Sequence, residues 1–264
     1  MQLPMKPFTH FLTPLGRGSV VEEGPWHYGI DYITVYFRAD PELLQQLLPQ
    51  KLKVVDGTSV AYVSEFVSVS EKNPEAYYTD PSQTIYREAG VGVMCRYGDR
   101  TGVFYPFMWV DRDWAMIRGW LNGYPKKIAD EIVMTRFHSH NKIIGLPREG
   151  VKVSGYCTRH GSRLLTLLVE LKRAGGVEDL IRFGSTFGVR HFPTTHGSQT
   201  GVNELVEVIK TNMQASGIWV GDAELRLGES PAEELEFIKP LEVIKGLYYK
   251  AGFTIEGARV LERL

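Results

Sequence analysis

Two adjacent lysines, Lys126 and Lys127, close the segment Gly123-Tyr124-Pro125-Lys126-Lys127. A lysine amine attacks a carbonyl only when neutral, and an ordinary lysine is neutral only about 0.04% of the time at pH 7. Desolvation disfavours the ammonium, and a neighbouring cation disfavours it further. Either effect can make Lys126 a nucleophile that forms a Schiff base with a carbonyl substrate. Two lysines after a helix are usually solvated charge. Here the flanks Trp114, Trp120 and Tyr124 are aromatic, Pro125 fixes the backbone before the pair, and a strand starts at Glu131. The pair therefore stands at a junction that can open into a pocket. Asn122 precedes Lys126 by four residues, and its amide can bind a substrate carboxylate or carbonyl, or simply end the helix. Tyr105, in the apolar run 103–109, can wall the pocket or pack in the core.

Other constellations carry less. His138-Ser139-His140 puts two histidines on one strand face, but no nearby Cys, Asp or Glu completes a metal-ligand set. Phe183-Gly184-Ser185-Thr186-Phe187-Gly188 contains Gly-x-x-x-Gly without the full phosphate-loop or dinucleotide pattern. No Gly-x-Ser-x-Gly elbow occurs. Cys95 and Cys157 lie far apart, form no redox pair motif, and read as buried free thiols.

The elements that must position these residues are mostly short strands. Runs rich in Val, Ile, Tyr and Phe fall at 32–37, 60–69, 91–97, 103–109, 131–137, 151–157, 164–171, 204–210, 223–227 and 247–255. So many strands with few long helical patterns predict an antiparallel sheet or barrel. One helix is expected over 42–48, capped by Asp40 with Pro41 at its first position. A second starts at Asp111 or Asp113, with Trp114, Ile117 and Leu121 at helical spacing, and stops at Asn122-Gly123. A third is expected over 231–238 and a short terminal one over 256–264. The polar stretch 192–201 reads as a loop.

The chain has 264 residues, 43% of them apolar and 23% charged, as in ordinary globular proteins. No linker or repeat is evident, so a single domain over 1–264 is expected. A formal net charge of -1 without a long basic run removes the footprint of a nucleic-acid binder. No stretch approaches the roughly 20 apolar residues of a membrane helix. Residues 1–7 carry no apolar run that would serve as a signal peptide, so a cytoplasmic location is the expectation.

Several segments together resemble the acetoacetate decarboxylase family. Gly123-Tyr124-Pro125-Lys126-Lys127 is followed by Ile128-Ala129, as the family motif tends to run. Upstream, residues 31–40 leading to Leu47–Leu52 resemble the family's first strand, helix and proline turn. Ser64-Glu65-Phe66 falls where the family places one glutamate, and Tyr86-Arg87-Glu88-Ala89-Gly90 resembles the segment carrying a second. Downstream, Gly217, Trp219, Gly221, Ala223, Leu225 and Leu227, then Pro231, Leu235 and Pro240-Leu241-Glu242-Val243, resemble its C-terminal region. The resemblance runs from about residue 25 to 255. Each motif is weak alone; their order and spacing are specific.

The resemblance implies an α+β fold with an antiparallel β-barrel-like core and a few short helices, assembled into tetramers or larger homo-oligomers. It implies no metal and no organic cofactor, because the lysine itself is the electron sink. Lys126 matches the Schiff-base lysine, Lys127 its cationic neighbour, and Glu65 and Glu88 the two active-site glutamates, with Glu88 the first choice as acid or base. The implied reaction is decarboxylation of a β-keto acid such as acetoacetate to a ketone and carbon dioxide. One departure matters. The family's decarboxylases carry an arginine near the start of the first strand, where this sequence has Ile30, and no arginine lies between Arg17 and Arg38. That departure favours the family's other chemistry, aldol condensation with dehydration, or cyclisation, of pyruvate-like keto acids. A binding protein that kept the fold and lost the chemistry is the third reading, and retention of Lys126, Glu65 and Glu88 together argues against it.

Overall fold

Strand residues alternate between two faces, and the first strands here use both. The computed structural model describes residues 21–196 and 201–264, so the reading of residues 1–7 and the end of the 192–201 loop lie outside the described residues. Strands β1 (Trp26–Arg38), β2 (Lys53–Ser70), β3 (Ile85–Tyr97) and β4 (Arg100–Val110) pair successively as an antiparallel meander. Their even-numbered residues Tyr28, Tyr32, Thr34, Tyr36, Tyr62, Phe66, Tyr86 and Glu88 line one cavity. Their odd-numbered neighbours Ile33, Val35, Phe37, Ala61, Val63, Ala89 and Val91 belong to the main hydrophobic core on the other face. Both faces are therefore buried, which explains why these strands read as nearly continuous apolar runs.

The rest of the sheet is built from β5 (Lys126–Ile128), β6 (Glu131–Met134), β7 (Lys152–Arg159), β8 (Ser162–Ala174), β9 (Ser185–Phe192), β10 (Val202–Leu227) and β11 (Glu242–Arg263). Pairings β4–β9, β9–β10, β10–β11 and β11–β1 close the meander on itself. The second half of β10 leaves this ring to pair with β8, which continues to β7 and β6. This is the expected β-barrel-like core. It is not purely antiparallel: β4 pairs in parallel with both β9 and β5.

Among the described residues, three short helices accompany the sheet: α1 (Pro41–Gln46), α2 (Ala76–Thr79) and α3 (Asp113–Leu121). Asp40 caps α1 as predicted, its Oδ1 accepting from the Glu42 amide at 2.8 Å. Two expectations need correction. The segment 256–264 is no helix: its residues continue β11, pairing Gly257 with Ile209, Val260 with Val206 and Arg263 with Glu204. Ladder pairing with a long neighbour overrides a composition that favours helix. The expected helix over 231–238 shrinks to a single 3-10 turn at Leu235–Ile238. The glycine-bearing stretch around Phe187 is strand β9, which seals the ring. No helix among the described residues is long and apolar enough to cross a membrane.

Candidate active site

Lys126 reaches the cavity because the chain before it is tightly held. α3 ends at Asn122, and Gly123 adopts a φ of 88° that a side chain would strain. The Tyr124 amide then donates to the Gly119 carbonyl at 2.9 Å, and the Val189 amide of β9 donates to the Gly123 carbonyl at 2.9 Å. The Trp120 indole N–H donates to the Lys126 carbonyl at 2.7 Å. The short strand β5 then lays Lys126 beside Met108 of β4. Gly119 completes the arrangement: a Cβ there would approach Lys126 Cγ to 2.8 Å, so the lysine side chain passes over α3 where that helix has no side chain.

The Lys126 side chain is buried, 6% exposed, and its Nζ lies 2.6 Å from Oε2 of Glu88, itself 3% exposed. Glu88 Oε1 accepts from the Tyr62 hydroxyl at 2.7 Å. Burial is the largest influence on the Lys126 pKa and lowers it from the ordinary value; the charge of Glu88 opposes this, and Arg118 adds to the lowering. Burial thus favours the neutral form of the amine, the form that can act as a nucleophile, and the adjacent carboxylate opposes it. The cavity around it has a volume of about 190 Å³ and is walled largely by aromatic rings.

The predicted residues separate clearly. Lys126, Glu88, Asn122 and Tyr105 all line the cavity. Tyr105 packs edge-on against Tyr62 and Tyr124. Asn122 also performs its helix-ending role, its Nδ2 donating to the Arg118 carbonyl at 3.0 Å. Lys127 and Glu65 are not brought to the cavity. Successive strand residues point to opposite faces, so Lys127 turns away from Lys126 and its Nζ meets Glu233 at 2.7 Å. Glu65 pairs with Arg87 across the β2–β3 ladder while Ser64 pairs with Glu88, which puts the two glutamates on opposite faces. The Glu65 carboxylate instead meets Arg136 at 2.9 Å and Arg87 at 3.5 Å.

Three groups in the cavity escaped the sequence reading. Arg118 of α3 is 2% exposed, and its guanidinium carbon lies 4.1 Å from the Trp26 ring centroid, with Trp114, Tyr28 and Tyr86 also around it. Its Nη2 donates to Ser68 Oγ at 3.0 Å, while Nη1 is buried without a hydrogen-bond partner among the described residues. The available signal was helical spacing, because Arg118 stands four residues before Asn122 on the same face. Tyr62 shares a strand face with Phe66 by period two, but with both faces of β2 buried nothing in the sequence marked that face as the cavity's. Lys210 of β10 left no signal: Leu205 through Val208 are all buried, so the strand shows no apolar period that would give its facing. An arginine thus reaches the cavity from helix α3, although the first strand carries none before Arg38.

A profile of the family described as acetoacetate decarboxylase matches residues 11–264. An acetoacetate decarboxylase-like enzyme from Sphingomonas wittichii RW1 superposes with a TM-score of 0.92 at 46% identity, over 97% of this chain and 99% of that one. The enduracididine biosynthesis enzyme MppR, solved with the condensation product of pyruvate and imidazole 4-carboxaldehyde, superposes with a TM-score of 0.85 at 25% identity, over 95% of this chain and 94% of that one. Acetoacetate decarboxylase of Burkholderia multivorans is 25% identical over 236 residues, 88% of this chain and 86% of its own length. With the profile spanning nearly the whole sequence and the fold shared with these enzymes, this chain belongs to the acetoacetate decarboxylase family.

Proposed function

We propose that this protein is a lyase that binds a small keto acid as a Schiff base on Lys126 and works through the resulting enamine. The observation that carries this reading is the buried Lys126 amine, with its lowered pKa, held 2.6 Å from Glu88. Neutral Nζ bonds to the keto carbon as the carbonyl oxygen takes a proton; a second proton on that oxygen releases water and leaves an iminium. Glu88, oriented by the Tyr62 hydroxyl, is in reach to supply and recover these protons.

From the iminium two outcomes are open. A β-keto acid loses carbon dioxide, the electrons of the broken carbon–carbon bond passing into the enamine, which is then protonated on carbon and hydrolysed to a ketone. A 2-keto acid keeps its carboxylate. Glu88 instead removes a proton from the carbon beside the iminium, the enamine bonds to an aldehyde carbon, and the aldehyde oxygen takes the proton back. Loss of that oxygen as water, then hydrolysis, frees the product and the lysine.

The curated relatives' name supports the first outcome. Arg118 favours the second, and it is the reading we adopt. A carboxylate held by the open Nη1 of a buried guanidinium is stabilised as an anion, and that stabilisation is lost as it leaves as neutral carbon dioxide. The condensation product bound in MppR is consistent with this choice. Borohydride trapping tests the proposal: wild type and Lys126→Ala are incubated with pyruvate or with acetoacetate, reduced, and weighed intact. The expected result is a pyruvate adduct with its carboxylate retained, absent in the variant. An acetoacetate adduct lighter by carbon dioxide would restore decarboxylation, and no adduct with either acid would end the Schiff-base reading.

A further inference from the structure

Among the described residues, the charged side chains lining the cavity are Glu88, Arg118, Lys126 and Lys210. Glu88 already faces Lys126. Arg118 has an open buried donor for one carboxylate. Lys210 remains. Among the described residues it makes no hydrogen bond and no ion pair, and its Nζ rests 5.0 Å from the Phe253 ring centroid and 6.0 Å from that of Tyr124. Desolvation lowers its pKa to about 8, which still leaves it mostly charged at neutral pH. A half-buried cation with no counter-ion in contact is costly, since Glu88 acts on it only from a distance, and a bound anion reduces that cost.

The three cations are spaced along the aromatic wall. Lys126 Nζ lies 5.3 Å from the Tyr86 centroid and 5.6 Å from that of Tyr124. Arg118 shares Tyr86 with it, at 5.6 Å, and Lys210 shares Tyr124. Arg118 and Lys210 share no ring with each other. The reactive nitrogen thus shares one ring with each of the other two cations, and the rings beside those two, Tyr28 and Phe253, are themselves in contact with centroids 4.9 Å apart. Resting on the Schiff-base reading above, we propose that Lys210 is a specificity residue that holds a second carboxylate, so that the cavity takes a keto dicarboxylate with its keto carbon at Lys126 and its two carboxylates at Arg118 and Lys210. The β10 alternation fits this role: Lys210 follows Val208 by two residues, and Val208 packs with Tyr28 and Tyr124 on the cavity side of the strand.

Calorimetric titration of the full chain with 2-oxoglutarate and with 2-oxopentanoate, keto acids of equal length differing in the distal carboxylate, reads the proposal. Wild type is expected to bind 2-oxoglutarate about tenfold or more tightly than 2-oxopentanoate, as a charge-assisted contact provides. Lys210→Met should bring that ratio near one, and Lys210→Arg should restore it. The ratio, not either affinity, is the readout, so a general weakening of the site does not mimic the effect. Equal wild-type affinities, a ratio that survives Lys210→Met, or no binding of either acid would each overturn the proposal. Borohydride reduction of the same mixtures keeps the two ideas apart: a Lys210-dependent ratio without a covalent adduct would sink the Schiff base and leave the dicarboxylate site standing.

Discussion

The Lys126 amine feels two opposed influences, burial that expels its proton and the Glu88 carboxylate that retains it, and burial is the larger. A sign follows for each. The pH profile of Lys126 acylation by a small acyl ester, followed by peptide mass spectrometry, should have its midpoint below the ordinary 10.5. Glu88→Gln removes the influence that raises the pKa and should move that midpoint lower still. A midpoint at 10.5 or above, or one that rises in Glu88→Gln, would contradict the account. Lys127 contributes nothing comparable, since its ammonium is engaged with Glu233 on the far side of β5. At this scale the sequence singled out two residues, Lys126 and Glu88, that the fold brings into contact. It misled where adjacency stood in for proximity, as at Lys127, and where a strand's facing was not known, as at Glu65.

Elements decide which side chains meet. The stop signal Asn122-Gly123 and the Asp40 cap were legible because they are local, each set by a few backbone groups and a side chain within three residues. The facing of β1, β2 and β3 was not, because both faces are buried and the apolar pattern has no clear period. β9 and the end of β11 were missed for a related reason: their pairing depends on strands distant in sequence. Helix α3 shows how closely an element is fitted to the site. Gly119→Ala should favour an isolated helix by about 1 kcal/mol. Here the new methyl meets the Lys126 side chain, and the borohydride adduct is expected to fall about tenfold or more while circular dichroism stays unchanged. An adduct formed at the wild-type rate would show that Lys126 has another route into the cavity.

Across the whole molecule, one buried carboxylate fastens distant parts of the chain. Glu233, before the turn at Leu235–Ile238, accepts from Trp109 of β4 at 3.1 Å and from Arg159 of β7 at 3.1 Å, as well as from Lys127. The side chain is 1% exposed. Glu233→Gln turns one acceptor into a donor facing cations and should destabilise the fold by about 3 kcal/mol or more, measured by urea denaturation. A loss below about 1 kcal/mol would mean the cluster relaxes into solvent. We propose that the chain unfolds as one domain, and a single transition in the same experiment is the expected result.

Cys95 on β3 and Cys157 on β7 are both fully buried in the main core, and burial raises both thiols, Cys95 to about 12. One sits in the closed ring and the other in the layer that extends from it. The molecule thus carries two silent reporters of its own breathing, which a maleimide can reach only when the strand around each comes apart. Equal labelling rates would mean that ring and extension open together, and faster labelling of Cys157 would mean that β6, β7 and β8 peel away while the cavity around Lys126 stays shut.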